Sequence, residues 1–420
     1  MRRHDTGYLS AARRGRYLRT GRTGIVAVAL IALVAFSGCG GKKTPTVTSK
    51  GGGVSVSVTP ADNATDVPVS SEIGLQVSGG TITGVELLKA DGSKVAGALR
   101  ADHSTWVPDD PLSYTTSYTA TVTAAGGDGK AVTRSTKFTT MARPADNTRI
   151  ATQLYMDNGK TYGQAMPIVV EFQGGKVSSA ADRAAVERRF FVTTEPAQPG
   201  VWHWDSDIQV EYRAEHYWQP GTKIKVRLGL GGLPMGGGKY GQFDISIAAS
   251  IDTVKRVMTV DNASKTLTAT QDDQVVRVIP VSLGKPEKPS FSGTMVIMSR
   301  DEKTLFDSST YGTPVNSPDG YKTEVQFAER LTYDGQFIHA APWSVAQQGH
   351  TNVSHGCVNM ATDNAQFIYT WVKVGDPVVV SGTEEHLGQG NGWTAWDLSW
   401  EDFVKGSALV ATGAASPKST

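Results

Sequence analysis

Between positions 54 and 141 apolar residues recur with a period of two. Val54, Val56 and Val58 alternate with serines, and Tyr118, Ala120 and Val122 alternate with Thr119, Thr121 and Thr123. Successive side chains on a strand point to opposite faces, so this spacing predicts strands with one buried face and one wet face. Clusters of Gly, Pro, Asp and Asn divide the runs, and short strands divided in this way pack as an immunoglobulin-like β-sandwich. The run Pro60-Ala61-Asp62-Asn63 returns as Pro144-Ala145-Asp146-Asn147, each copy at the entry to a β-patterned stretch. The second stretch carries Ile224, Val226 and Leu228 between Lys223, Lys225 and Arg227. A second sandwich is therefore expected over 144–250, after a first over 54–143.

From residue 251 strands persist, as at 275–282, but the connections lengthen. One helix is expected after position 361, with Thr362 as N-cap and Asp363 at its positive end. Phe367 with Trp371 and Ile368 with Val372 form i,i+4 pairs, and Gly375-Asp376-Pro377 turns the chain into a strand at 378–380. These features predict a mainly β third domain over 251–381 with one or two helices. Trp393, Trp396 and Trp400 then fall at i, i+3 and i+7, which predicts one apolar face by which a Trp-rich extension, 382–410, docks on the preceding domains. Residues 411–420 are expected to form a disordered tail.

The N-terminus carries seven arginines before an apolar run at 25–36, too short to span a bilayer comfortably, and reads as a secretory signal. Phe36-Ser37-Gly38-Cys39 resembles a bacterial lipoprotein processing site, although Phe36 stands where that pattern favours an aliphatic residue. The resemblance implies a signal peptide over 1–38, lipidation of Cys39, and an exported protein anchored to the cell membrane and facing the cell wall. Residues 39–53, rich in Gly, Lys, Thr and Ser, would be a flexible tether. Formal net charge is +1 and no basic stripe is present, which argues against a nucleic-acid partner.

The chain has two cysteines. With Cys39 claimed by the N-terminus, Cys357 has no partner for an intramolecular disulfide, and a leftover thiol in an exported protein is a candidate reactive group. It lies in Ser354-His355-Gly356-Cys357-Val358-Asn359, downstream of His339. A thiolate attacks carbonyl carbon, so such a cysteine needs a base, and His339 and His355 compete for that role on sequence alone. Gly356 lets the backbone approach a substrate closely, making the amides around Gly356-Cys357 candidate donors to an oxyanion. His339, His350, His355 and Cys357 do not form a familiar zinc pattern, and no metal or other cofactor is expected.

His339, a spacer of 14 residues, and then Ser354-His355-Gly356-Cys357-Val358-Asn359 resemble the signature of the L,D-transpeptidase, or YkuD, catalytic domain. The segments 307–312, 316–321 and 341–344 are similar to actinobacterial members that carry paired immunoglobulin-like modules. The resemblance implies a YkuD-type mixed β-sandwich and ping-pong acyl transfer with two peptidoglycan tetrapeptide stems. The donor stem would acylate Cys357 and release D-Ala, and the acceptor stem would complete a 3→3 cross-link. It further implies His339 as base, Tyr321 as an aid to the oxyanion, and supporting places for His355, Asn359, Ser354, Trp343 and Phe306. Position 340, often Ser in close relatives, is Ala here, which suffices if the main-chain carbonyl orients the histidine. Carbapenems are implied as covalent inhibitors. The readings set against this one are an L,D-carboxypeptidase and a wall-binding lipoprotein with a vestigial catalytic domain.

Overall fold

The computed structural model describes residues 53–317 and 320–411. The expected signal peptide, Cys39, nearly all of the tether and the tail lie outside the described residues. Three successive pairs of β-sheets make up the described chain, which is mainly β as the alternation requires.

In the first sandwich, strands Ser55–Thr59, Ile73–Ser78, Thr105–Pro108 and Gly97–Leu99 face a sheet of Ala64–Val67, Ala131–Thr140, Ser117–Gly126 and Gly80–Lys89. Tyr118, Ala120 and Val122 are buried with Ile73, Leu87 and Phe138. Their threonine neighbours point outward, where Thr121 meets Ser135 at 3.0 Å and Thr123 meets Thr133 at 3.1 Å. The four-residue echo does not mark equivalent positions. Its first copy joins the first two strands inside this sandwich, whereas the second precedes strand Arg149–Leu154 of the next.

The second sandwich pairs a four-stranded sheet with a five-stranded one between residues 149 and 251. Ile224, Val226 and Leu228 face its aromatic core of Phe172, Phe190, Trp202, Trp204, Tyr212 and Trp218. It also contains a helix, Ala180–Glu187, that the period-two reading passed over. Ser179 caps this helix by accepting from the Asp182 amide at 3.0 Å.

The third domain sets a six-stranded sheet beside a four-stranded one. The smaller sheet runs Ser299–Asp307, Lys322–Arg330, Phe337–Ala340, Val358–Met360. Its last two strands pair in parallel, so the chain between them must cross over, and residues 341–357 make that crossing. Helix Thr362–Trp371 follows directly and buries Ala365 and Ile368. Its N-cap is Ala361, not the expected Thr362, and makes no side-chain cap bond. The ladder holds the chain extended through Met360, so helical geometry begins with Thr362 already inside the first turn.

The Trp-rich extension returns to the second sandwich. Trp393 joins that core, and the Trp396 indole donates to the Ala165 carbonyl at 2.6 Å. Trp396 and Trp400 lie against a cation as well as an apolar surface: the Arg213 guanidinium sits 4.5 and 5.3 Å from their rings. Buried Glu187 completes the junction by accepting from the Ala408 amide at 2.8 Å. The second sandwich also grips the third domain directly, with the Gly163 and Ala165 amides donating to the Val374 and Gly375 carbonyls at 2.8 and 2.9 Å.

Candidate active site

The parallel ladder decides which side chains share a face. Ile338 pairs with Val358 and Ala340 with Met360, and all four are buried in the domain core. The alternate residues, Phe337 and His339 on one strand and Cys357 and Asn359 at the other, therefore emerge together on the opposite face. Four letters on each strand thus divide into a scaffold and a reactive surface.

Cys357 is 7 % exposed and His339 3 %. His339 Nδ1 lies 2.9 Å from the carbonyl oxygen of Ala340. A carbonyl accepts only, so Nδ1 carries the proton and Nε2 keeps its lone pair. Burial pushes the imidazole down to about 4, outweighing the Ala340 carbonyl and the Asn359 side chain, which favour the charged form. Burial likewise pushes the Cys357 thiol up to about 12. Thiol and imidazole are thus both held neutral on this face, with the thiol making a long sulfur contact to the Gly335 carbonyl at 3.7 Å.

The turn before Cys357 is held by short polar contacts. Ser354 Oγ donates to the Cys357 carbonyl at 2.6 Å and accepts from the Gly356 amide at 3.1 Å. The Gly356 amide, expected to face an oxyanion, is thus engaged by Ser354. Of the Gly356-Cys357 pair, that leaves the Cys357 amide for such a role. Gly356 has a φ of +118°, and a Cβ there would stand 3.0 Å from Gln336 Nε2. Both the backbone conformation and the close approach call for glycine.

Phe306 is buried and meets the His339 ring edge-on at 5.1 Å. Trp343, 60 % exposed, has its ring 6.0 Å from the same imidazole. Tyr321 packs against the cluster of Phe306, Phe337 and Cys357. His355 is exposed, its ring 5.5 Å from that of Tyr321. Buried Asn359 ties its backbone to Ser282 by reciprocal bonds of 2.9 and 3.0 Å. The structure therefore brings Cys357, His339, Asn359, Ser354, Gly356, Phe306, Tyr321 and Trp343 together and sets His355 at the rim.

Sequence reasoning missed the supports from the loops that lead into other strands. Ser290 Oγ donates to the Gly356 carbonyl at 2.7 Å and accepts from the Gly284 amide at 3.0 Å. Gln336 bridges Pro289 and Phe291 while filling the space above Gly356. No local spacing announces contacts between residues so far apart in the chain.

The L,D-transpeptidase catalytic domain (YkuD) model matches residues 255–380, and a bacterial Ig domain model matches residues 64–234. Fold and match together make the third domain an L,D-transpeptidase catalytic domain. L,D-transpeptidase 2 of Mycobacterium tuberculosis is 36 % identical over 349 residues, covering 83 % of this chain and 83 % of that protein. L,D-transpeptidase 5 of the same species is 34 % identical over 371 residues, 86 % of this chain and 78 % of its own. A solved L,D-transpeptidase in complex with imipenem is 32 % identical, spans 57 % of this chain and 100 % of its own, and superposes with a TM-score of 0.47. The chain belongs to the L,D-transpeptidase family.

Proposed function

We propose that Cys357 is the nucleophile and His339 the general base of an L,D-transpeptidase that forms 3→3 peptidoglycan cross-links. The observation that carries this reading is the parallel ladder, whose register sets both side chains on one face, with the Nδ1 proton fixed by Ala340. In this reading the Sγ–H turns from the Gly335 carbonyl, its contact in the structure, toward Nε2. In the acylation step the Sγ–H proton passes to Nε2 as sulfur attacks the carbonyl after the third stem residue. The tetrahedral oxyanion takes the Cys357 amide, with Tyr321 beside it. Collapse expels D-Ala, which receives the proton from His339, and leaves a thioester. The acceptor stem's side-chain amine then attacks, again losing its proton to His339, and restores the thiol.

Asn359, Ser354, Trp343 and Phe306 support the substrate cleft in this reading, and His355 contacts substrate at the rim. A carbapenem presents a strained carbonyl to the same sulfur, so the class is expected to acylate Cys357. We place the enzyme on the outer face of the cell membrane, anchored through Cys39, with the two sandwiches carrying the catalytic domain toward the wall.

Mass spectrometry of the purified protein incubated with a disaccharide tetrapeptide bearing diaminopimelate tests the reading. A 3→3 dimer with released D-Ala, lost in Cys357→Ala, is the expected result. A tripeptide alone would replace transpeptidation by hydrolysis. No turnover and no thioester would favour a wall-binding role.

A further inference from the structure

Asn359 stands across the parallel ladder from His339, and its side-chain oxygen, Oδ1, is buried with no hydrogen-bond partner among the described residues. Its other end is engaged: Nδ2 donates to Ser344 Oγ at 3.3 Å. Ser344 gives its single proton to the Ala341 carbonyl at 3.2 Å, so its oxygen serves any further neighbour only as an acceptor. Gln348 reinforces that polarity, its Nε2 donating both to Ser344 Oγ at 3.3 Å and to the Ala341 carbonyl at 3.1 Å. With an acceptor facing it, the Asn359 carboxamide must present its NH2 to Ser344 and its oxygen to the opposite side. The flip of this amide is decided by its neighbours. The Asn359 side chain shares a face with the His339 ring directly across the ladder and favours the charged imidazole. Otherwise the Ala340 carbonyl favours protonation and burial opposes it, with Phe306 and Trp343 against the ring and the Cys357 thiol on the neighbouring strand.

We propose that Ser344 and Gln348 are positioning residues that lock the Asn359 carboxamide with its oxygen toward His339, so that this oxygen stabilises the imidazolium formed when His339 takes the Cys357 proton. The inference rests on the reading of Cys357 and His339 as nucleophile and base. A buried acceptor left without a donor in the neutral state is costly, and it gains its value when the ring becomes cationic. The benefit arises only during acyl transfer, which is where a catalytic interaction lowers a barrier.

The test measures acylation of Cys357 by a carbapenem across pH, by intact mass, in the full chain and in Ser344→Ala, Gln348→Met, Asn359→Asp and Asn359→Leu. Acylation needs neutral His339, so the acid limb of the profile reports its titration. Ser344→Ala is expected to slow acylation about tenfold, the scale of one hydrogen bond to a charged group. Asn359→Asp sets a carboxylate against the ring and should move the acid limb to higher pH. Asn359→Leu should move it lower while also reducing the plateau rate. A loosened, wetter site would instead drift toward the ordinary histidine value, so the opposite movements of the Leu and Asp variants separate the proposed role from mere disruption. An acid limb that neither Asn359 variant moves, or Ser344→Ala acylated at the parental rate, overturns the proposal. Absence of acylation in the parent protein would overturn the underlying reading, and this inference with it.

Discussion

Two buried groups of ionisable side chains, one between the sandwiches and one on the catalytic face, solve the problem of burying charge in opposite ways. Glu72 joins the first sandwich to the second through Arg189 at 2.6 Å, while Arg100 and Thr105 hold the same carboxylate at 2.5 and 2.6 Å. Burial alone would raise its pKa, but the hydrogen bonds and charge of Arg100, with Thr105 and Arg189, outweigh that and lower it to about 2. The guanidiniums of Arg100, Arg189 and Arg227 surround Phe191 in the same junction, at 5.2, 5.9 and 5.4 Å from its ring. Charge is kept there and fully partnered. At the catalytic face no ionic partner for Cys357 or His339 is found among the described residues, and burial holds both neutral. The first arrangement stores stability in charges already formed, and the second withholds charge until a reaction creates it.

The largest expected effect is on the paired site. Glu72→Gln leaves the buried Arg189 and the half-buried Arg100 guanidiniums without their carboxylate and should cost about 3 kcal/mol, seen as early unfolding of the first sandwich in a thermal melt. A melt unchanged within error would show that the junction is not stabilised by this cluster. Acid should then separate the two regions. Glu72 has a folded pKa below its unfolded value, so its stabilisation is complete above about pH 4.5 and is lost as pH falls toward 2. The folded pKa of His339 is also depressed, but for a base this means that acid favours the unfolded chain. Stability is retained above about pH 6.5 and lost as pH falls toward 4. Each window spans on the order of 3 kcal/mol at 1.36 kcal/mol per pH unit. His339→Gln should flatten the upper window and Glu72→Gln the lower one, as read from denaturant midpoints between pH 2 and 7. If both variants flatten the same window, the contrast fails.

A smaller effect is expected at the turn. Gly356→Ala places a Cβ at a φ of +118° and 3.0 Å from Gln336 Nε2, for a strain of about 1–3 kcal/mol. Because the strain falls on the residue before Cys357, acylation should suffer more than the melting temperature. Gln336→Ala, by opening the space, should recover part of the loss. No recovery would locate the cost in the backbone alone.

How much of this was readable follows from the range of each interaction. The alternation at 118–122 and 223–228 records burial residue by residue, so it predicts strands whose inward side chains are those now found buried. The Cys357 motif and His339 are likewise local signals. The helix at Ala180–Glu187 was legible in principle, since Ser179 and Asp182 carry the spacing of a capping pair, but the surrounding β pattern obscured it. The brace from Ser290 and Gln336 was not legible. Neither residue bears any spacing to Gly356 that sequence could reveal, and their roles exist only once the sheets have closed. Ser344 was noticed for its place in a family-like segment, but its hold on the Asn359 amide depends on the parallel register of two short strands.

The most direct measurement is the titration of Cys357 itself, followed as thiolate absorbance in the ultraviolet, with Cys357→Ala subtracted as background. With its pKa pushed up to about 12, the cysteine should give no thiolate signal at pH 8, and the signal should emerge only in strongly alkaline solution. A thiolate titrating below pH 8 would reveal a preformed ion pair with His339 and contradict the neutral resting site.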